Sequence, residues 1–193
     1  VREKGEGLVL KVALVIAEKV FRDEEYQVPK KILLEKGIEV VTASTTTGWA
    51  EGKLGARVKP DLQINELKTE ELDALVFVGG GGAAQYFDDP LAHQLARQME
   101  EQGKVVAAIC IAPVILARAD LVAAQRELAA AVQPGRVGRG RLRRRIRRML
   151  GREVPGDLAQ VVVRQPGHHP AHRRIAAPAV AEVAQLVEQV AGG

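Results

Sequence analysis

The segment VVAAICIAP, residues 105–113, joins a run of apolar, strand-forming residues to the one cysteine of the chain, Cys110. The residues that follow predict a helix with Pro113 in its first turn, where a missing N–H costs nothing. A sharp turn between strand and helix exposes a side chain, and N–H groups at a helix start favour an anion. Such N–H groups lower the pKa of a thiol below its free value of about 8.5. This pattern therefore predicts a nucleophile at Cys110, with a buried, unreactive core cysteine as the alternative.

Length and composition predict one globular domain. A chain of 193 residues suits a domain that buries about 70% of its unfolded surface. No apolar run reaches the roughly 18 residues needed to span a bilayer, and the charged first residues lack the apolar stretch of a signal peptide. A single cysteine excludes an internal disulfide and indicates a reducing compartment. We therefore expect a cytoplasmic protein with no membrane partner.

Apolar runs alternate with helical patterns over the first two thirds of the chain. The predicted strands are residues 8–17, 38–44, 72–78 and 105–109; the predicted helices are 24–36 and 89–102, with a small hairpin at 55–64. Strands separated by helices predict an α/β fold with a mostly parallel sheet and helices on both faces. The working site of such a sheet lies at the carboxyl ends of its strands. Cys110, the glycines at 79–82 and the loop after Ala17 all fall there.

Two further groups at this sheet end have a chemical interpretation. Backbone N–H groups of Gly79–Gly82, with the N–H of Ile111, could form an oxyanion hole beside the Cys110 sulfur; a flexible turn is the alternative. The run lacks the G-x-G-x-x-G spacing, so we expect no nucleotide cofactor. An acid in the segment FRDEEY, residues 21–26, could donate a proton to the thiolate or move one. Taken alone, these acids are more typical of an ordinary helix N-terminus.

Four segments in register resemble the ThiJ/PfpI superfamily, the class I glutamine-amidotransferase-like proteins. They are residues 11–17, 21–29, 76–80 and 107–113, and the resemblance covers about residues 10–121. It implies a flavodoxin-like three-layer sandwich and a homodimer or higher homo-oligomer. From the residues themselves we expect no cofactor and no bound metal.

The resemblance also implies roles for particular residues. In the superfamily, a cysteine on the turn pairs with a glutamate from the helix after the first strand. Here these are Cys110 and Glu25, with Glu24 as the second choice if the register slips. The glycine pair after the third strand falls on Gly79 and Gly80, which with Ile111 make the candidate oxyanion hole.

One departure bears on the reaction. The peptidase-like branch has a histidine directly after the cysteine, where this chain has Ile111, and residues 128–131 read LAAA where other members have a histidine or tyrosine. A Cys–Glu mechanism remains: the thiolate adds to an aldehyde to give a hemithioacetal, and Glu25 moves a proton between carbon and oxygen. The resemblance thus implies a glyoxalase- or deglycase-type enzyme acting on a small reactive carbonyl. The alternatives are an intracellular cysteine peptidase with a peptide substrate, and a non-enzymatic redox sensor or chaperone.

The composition changes abruptly near Leu121. Up to that residue the chain has 15 Lys and Arg against 19 Asp and Glu; afterwards it has 13 Arg, no Lys and 5 acids. We expect a single domain over residues 8–193 whose part 122–193 is atypical and basic. A shift of reading frame near Leu121 would produce the same change, and translating the other frames of the gene tests that explanation.

Two features of the basic part invite a binding interpretation. Its arginine-rich run, residues 134–148, could contact phosphates, but it lacks interleaved aromatic residues, so we expect a solvated arm and no nucleic-acid partner. His168, His169 and His172 lie among prolines without a nearby carboxylate, which is typical of a surface loop rather than a metal site. Residues 175–190 predict a helix.

Overall fold

Buried apolar strands form the centre of the molecule. The computed structural model describes residues 2–4, 7–121 and 161–164, with side chains from residue 9 to 121. In this part of the chain the strands are β1 Arg2–Lys4, β2 Gly7–Val9, β3 Lys11–Val15, β4 Lys19–Phe21, β5 Glu39–Ser44, β6 Ala50–Gly52, β7 Arg57–Val58, β8 Leu62–Gln63, β9 Ala74–Phe77, β10 Val105–Ile109 and β11 Val161–Arg164. The helices are α1 Asp23–Glu35, α2 Pro90–Glu101 and α3 Pro113–Arg118, with 3₁₀ helices at Ile64–Glu66, Thr69–Glu71 and Gly81–Tyr86.

The main sheet has the order β11-β10-β9-β3-β5-β8. The pairs from β10 through β9, β3 and β5 to β8 are parallel, and β11 joins the β10 edge antiparallel. This arrangement confirms the predicted α/β fold with a mostly parallel, flavodoxin-like sheet.

Side chains alternate between two apolar layers along the central strands. Val12 and Leu14 of β3 pack with α1 on one face, while Ala13 and Val15 pack with α2 and α3 on the other. Strands buried on both faces are typical of parallel sheets, and each buried Val or Leu contributes about 1.5–3 kcal/mol. The helices hold the sheet between them, so the carboxyl strand ends remain the accessible edge of this core.

Helix α1 begins one residue before the predicted start, and two of its apolar residues face solvent. Val28 and Leu34 are 44% and 51% exposed, whereas Tyr26, Pro29 and Leu33 are buried. The ring of Tyr26 meets that of Phe21 edge to face, with ring centroids 5.7 Å apart. This contact and the Leu33 contacts set the rotation of the helix, which apolar spacing alone did not reveal.

The predicted hairpin over residues 55–64 is wrong in its position. The observed hairpin joins β6 to β7, and β4 extends it into a small three-stranded sheet. Leu62–Gln63 instead joins the main sheet beside β5, where Asp61 Oδ2 accepts a hydrogen bond from the Thr42 N–H at 2.7 Å. The apolar residues of this segment therefore belong to two sheets.

Helix α2 begins as the sequence predicts. The side chain of Asp89 accepts a hydrogen bond from the Leu91 N–H at 2.9 Å, and Pro90 occupies the first turn. Such a cap satisfies one of the N–H groups that a helix start leaves unpaired.

The basic C-terminal part contributes one described strand, β11, which the sequence analysis did not predict. The arginine-rich run, the three histidines and the predicted helix at 175–190 lie outside the described residues. Among the residues that are described, no helix combines the length and the apolar character needed to cross a bilayer.

Replacing Leu14 tests the central strand. Leu14 is completely buried, so Leu14→Ala leaves a cavity, and we expect a loss of about 2–5 kcal/mol in the free energy of unfolding. Leu54, 66% exposed, is the matched control, and Leu54→Ala should cost less than about 0.5 kcal/mol. Urea unfolding measures both; equal losses in the two variants would contradict the placement of β3.

Candidate active site

Cys110 lies at the turn between β10 and α3. Its φ angle is +60°, in the left-handed region that residues with a side chain rarely adopt. Holding a non-glycine residue there costs about 1–3 kcal/mol, and such strain clusters at functional sites. The Ala112 N–H donates a hydrogen bond across the turn to the Ile109 carbonyl oxygen at 3.0 Å. This geometry leaves the Cys110 side chain partly exposed at the carboxyl edge of the sheet.

The structure brings Glu25 against Cys110. Glu25 comes from the first turn of α1, and its carboxyl group interacts with the thiol and with the Gly79 backbone. A side chain at Gly79 would collide with the Glu25 carboxylate and would lie 2.7 Å from the Cys110 Cβ. Only glycine therefore allows the two groups to approach each other here.

Glu24, the second choice in the sequence analysis, points elsewhere. Its Oε2 accepts a hydrogen bond from Arg22 Nε at 3.1 Å, and its side chain is 50% exposed. Oε2 of Glu25, in contrast, is shielded from solvent and lacks a well-formed hydrogen bond within the described residues. Of the two acids, Glu25 is thus the one placed to exchange a proton with Cys110.

The three backbone groups predicted as an oxyanion hole divide between the two side chains. Backbone hydrogen bonding from Gly80 and Ile111 reaches the Cys110 sulfur, whereas that from Gly79 reaches Glu25. Gly80 has φ +94°, and a side chain there would clash with the backbone of residues 20–22. The role of these N–H groups as an oxyanion hole stays a prediction.

The pKa of the Cys110 thiol is raised to about 11, which contradicts the expected lowering. Burial is the largest cause, followed by the charge of Glu25 and its hydrogen bond, while hydrogen bonds from Gly80 and Ile111 oppose the rise. Burial likewise raises the pKa of Glu25. Because each group resists a second negative charge beside it, the thiol and the carboxyl group titrate as a coupled pair.

The one histidine within residues 9–121 does not reach this pair. His93 lies on α2, and its Nε2 is 2.9 Å from the carbonyl oxygen of Phe87. In this part of the chain, Glu25 is therefore the acid–base group that faces the thiol.

Asp23 is a site-supporting residue that the sequence analysis did not single out. Its buried carboxylate accepts hydrogen bonds from the N–H groups of Leu54 and Ala56, both at 2.8 Å, and packs on Gly52, where a side chain would overlap it. These bonds tie the β6–β7 hairpin to the start of α1, two residues before Glu25. Its position at a helix start was the only sequence signal, and that signal does not reveal a distant partner.

Neutralising Glu25 should lower the pKa of Cys110. Glu25→Gln removes the negative charge that helps to raise this pKa to about 11. The pH dependence of alkylation by iodoacetamide measures the shift without ambiguity, because Cys110 is the only cysteine. Glu35→Gln makes the same charge change at the far end of α1, about 15 Å away, and should leave the profile unchanged. An unchanged or higher thiol pKa in Glu25→Gln would contradict the pairing.

Asp23 should stabilise the fold in a pH-dependent way. Burial acts to raise the pKa of Asp23, but the hydrogen bonds from Leu54 and Ala56 prevail, and this pKa lies below its ordinary value of 3.8. The stabilisation is therefore present above pH 3.8 and is lost as the pH falls through the lowered value. Asp23→Asn should lower the free energy of unfolding by about 2–4 kcal/mol at pH 7. The difference in this free energy between Asp23→Asn and the original protein should become smaller in acid. Urea unfolding at several pH values measures this difference. A difference that stays constant with pH would count against this role of Asp23.

The chain matches a known family over most of the described residues. The model of the DJ-1/PfpI family matches residues 10–139, so the likeness continues past Leu121, where the sequence analysis expected it to end.

Similar proteins include both archaeal and animal members. An uncharacterised protein of Methanocaldococcus jannaschii is 37% identical over 62% of this chain and 60% of its own length. The deglycase PfpI of Pyrococcus furiosus is 38% identical over 56% of this chain and 66% of its own, and a glutathione-independent glyoxalase of Caenorhabditis elegans is 27% identical over 48% and 50%. The matched part thus spans between half and two thirds of these relatives.

Solved structures agree with the fold. The ThiJ/PfpI domain protein of Brachyspira murdochii superimposes with a TM-score of 0.61 at 25% identity, covering 96% of each chain. With the family match, this likeness confirms the resemblance inferred from the sequence. The chain belongs to the DJ-1/PfpI family.

Proposed function

We propose that the protein is an enzyme that acts on small reactive carbonyl compounds, with Cys110 as nucleophile and Glu25 as the group that moves protons. The observation that carries the proposal is the half-buried contact between the Glu25 carboxyl group and the thiol at the β10–α3 turn. The names of two relatives, a deglycase and a glyoxalase, support the same substrate class.

Proton transfer between Cys110 and Glu25 would turn a thiol with a high pKa into a nucleophile. Transfer of the Cys110 proton to Glu25 gives a thiolate beside a neutral carboxylic acid, which can donate a hydrogen bond to the sulfur. The backbone N–H groups of Gly80 and Ile111 act in the same direction. A buried pair can therefore react although the thiolate is scarce in the free protein.

The proposed reaction balances for a 2-oxoaldehyde such as methylglyoxal. The thiolate forms a bond to the aldehyde carbon, and the carbonyl oxygen takes a proton to give a hemithioacetal. Glu25 removes the proton from that carbon, and the hydroxyl proton of the hemithioacetal passes to the neighbouring ketone oxygen, which gives an enediolate. Glu25 then returns its proton to the neighbouring carbon. One proton has thus moved between carbons and one between oxygens, which gives a thioester of the 2-hydroxy acid. Water then releases the acid and restores the thiol, so the net change is addition of one water. A deglycase reaction would begin from the adduct of such a carbonyl with an amine.

The other interpretations have less support at this site. A cysteine peptidase typically uses a histidine that takes the thiol proton and then donates it to the leaving amine, and His93, the histidine within residues 9–121, is engaged with Phe87. A redox sensor would use the same Cys110–Glu25 contact, with Glu25 holding an oxidised sulfur, and turnover separates it from an enzyme. We retain the cytoplasmic location, inferred from the single cysteine, and a homo-oligomeric state as parts of the proposal.

Turnover of methylglyoxal to lactate tests the proposed function. Cys110→Ser and Glu25→Gln should each lower kcat/KM by at least about 100-fold, because one loses the nucleophile and the other the proton carrier. Glu35→Gln, an exposed acid on the same helix, should retain the original rate. Release of an amine from a glycated amino acid is the parallel assay for deglycase activity.

Loss of activity must be separated from loss of folding. Each variant should therefore show the same free energy of unfolding in urea as the original protein, to within about 1 kcal/mol. No turnover of either substrate by the folded original protein, or full turnover by Cys110→Ser, would overturn the proposal.

A further inference from the structure

Backbone contacts fix the position of Arg22 beside the Cys110–Glu25 pair. Its N–H donates to the Gly79 carbonyl at 3.0 Å, and its backbone nitrogen fills the space where Gly80 lacks a side chain. Arg22 also occupies the N-cap position of α1, three residues before Glu25. Because these contacts involve only the backbone, the position of Arg22 does not depend on its side chain.

The guanidinium group of Arg22 stays available to a ligand. Its Nε bonds to Glu24 at 3.1 Å, but the two side chains are 35% and 50% exposed. An ion pair in contact with water contributes little to stability, so a ligand can replace Glu24 at small cost. The charge of Arg22 nevertheless reaches the site, since it acts to lower the pKa of Glu25 and interacts with Cys110.

The guanidinium group of Arg22 offsets the acidic side chains near the thiol. Glu25 interacts with the thiol, and Glu24 is a second acid in the same first turn of α1. Without a cation, an acidic substrate would be repelled from the thiol. A guanidinium group also offers paired N–H donors that match the oxygens of a carboxylate or phosphate.

We propose that Arg22 is a specificity-determining residue that binds an acidic group of the substrate, so that the protein prefers carbonyl compounds bearing a carboxylate or phosphate over neutral ones. This inference rests on the proposed function for Cys110 as the reacting group. It adds the chemical class of the substrate, which neither the thiol nor Glu25 specifies.

Alkylation by two reagents of matched size tests the proposal without any turnover. Iodoacetate carries a carboxylate and iodoacetamide is neutral; both form the same sulfur–carbon bond with Cys110 and release iodide. We take the rate constant for iodoacetate divided by that for iodoacetamide. A change in the thiol pKa cancels from this ratio, because both reagents react with the same thiolate. In Arg22→Gln this ratio should fall about tenfold, whereas Arg22→Lys should keep most of it, since charge is retained.

Two controls make the result specific. Arg57→Gln removes an exposed arginine that lies over the Trp49 ring, and it should leave the ratio unchanged. High salt should reduce the ratio in the original protein more than in Arg22→Gln. An equal ratio in Arg22→Gln and the original protein, or an equal fall in Arg57→Gln, would overturn the inference.

Kinetics then connect Arg22 to the substrate. KM for a 2-oxoaldehyde bearing a terminal phosphate should rise about tenfold in Arg22→Gln, while KM for methylglyoxal should stay the same. Failure of both substrates to turn over would overturn the proposed function and leave the alkylation ratio as the test of Arg22. An equal rise in both KM values would contradict a role in binding the acidic group.

Discussion

The absence of a side chain at Gly79 is the constraint on which the candidate site depends. At this glycine the end of β9 touches the turn after β10 and the first turn of α1. A Cβ atom there would overlap the Glu25 carboxylate and the Cys110 side chain, so the helix would have to move away from the sheet. The same glycine accepts a hydrogen bond from Arg22 through its carbonyl. One small residue thus sets the separation of the thiol, the acid and the cation.

Burial and hydrogen bonding act in opposite directions on the charge of the Cys110–Glu25 pair. Burial favours the neutral forms of Cys110 and Glu25, whereas hydrogen bonds from Gly80 and Ile111 favour the thiolate. Burial prevails at the sulfur, and its pKa rises to about 11. In the proposed mechanism, the thiol of Cys110 stays protonated until Glu25 accepts the proton. Low reactivity in the free protein and reaction with a bound carbonyl are therefore compatible properties of one arrangement.

Helix α1 is held on both sides of Glu25. Before it, Asp23 binds the β6–β7 hairpin through two backbone N–H groups. After it, the Tyr26 hydroxyl lies 2.9 Å from the Thr42 hydroxyl, and the Lys30 ammonium group donates to the Tyr26 hydroxyl at 2.7 Å. The Asp23 contacts and the contact between Tyr26 and Thr42 join α1 to segments that lie far away in the sequence. They limit the movement of a carboxyl group whose role requires a short distance to the sulfur.

The sequence by itself determined the α/β class, the order of the parallel strands along the chain and the turn at Cys110, because periodicity and turn residues are local signals. It also indicated Glu25 and the Gly79–Gly80 pair, through a resemblance that the family match confirms. Only the tertiary structure decided the rotation of α1, the position of the hairpin and the direction of the thiol pKa shift. Each of these depends on contacts between distant segments and on burial, which a one-dimensional pattern does not contain. The part proposed for Arg22 belongs to the same group, since its neighbours Gly79 and Gly80 are adjacent to it only in the fold.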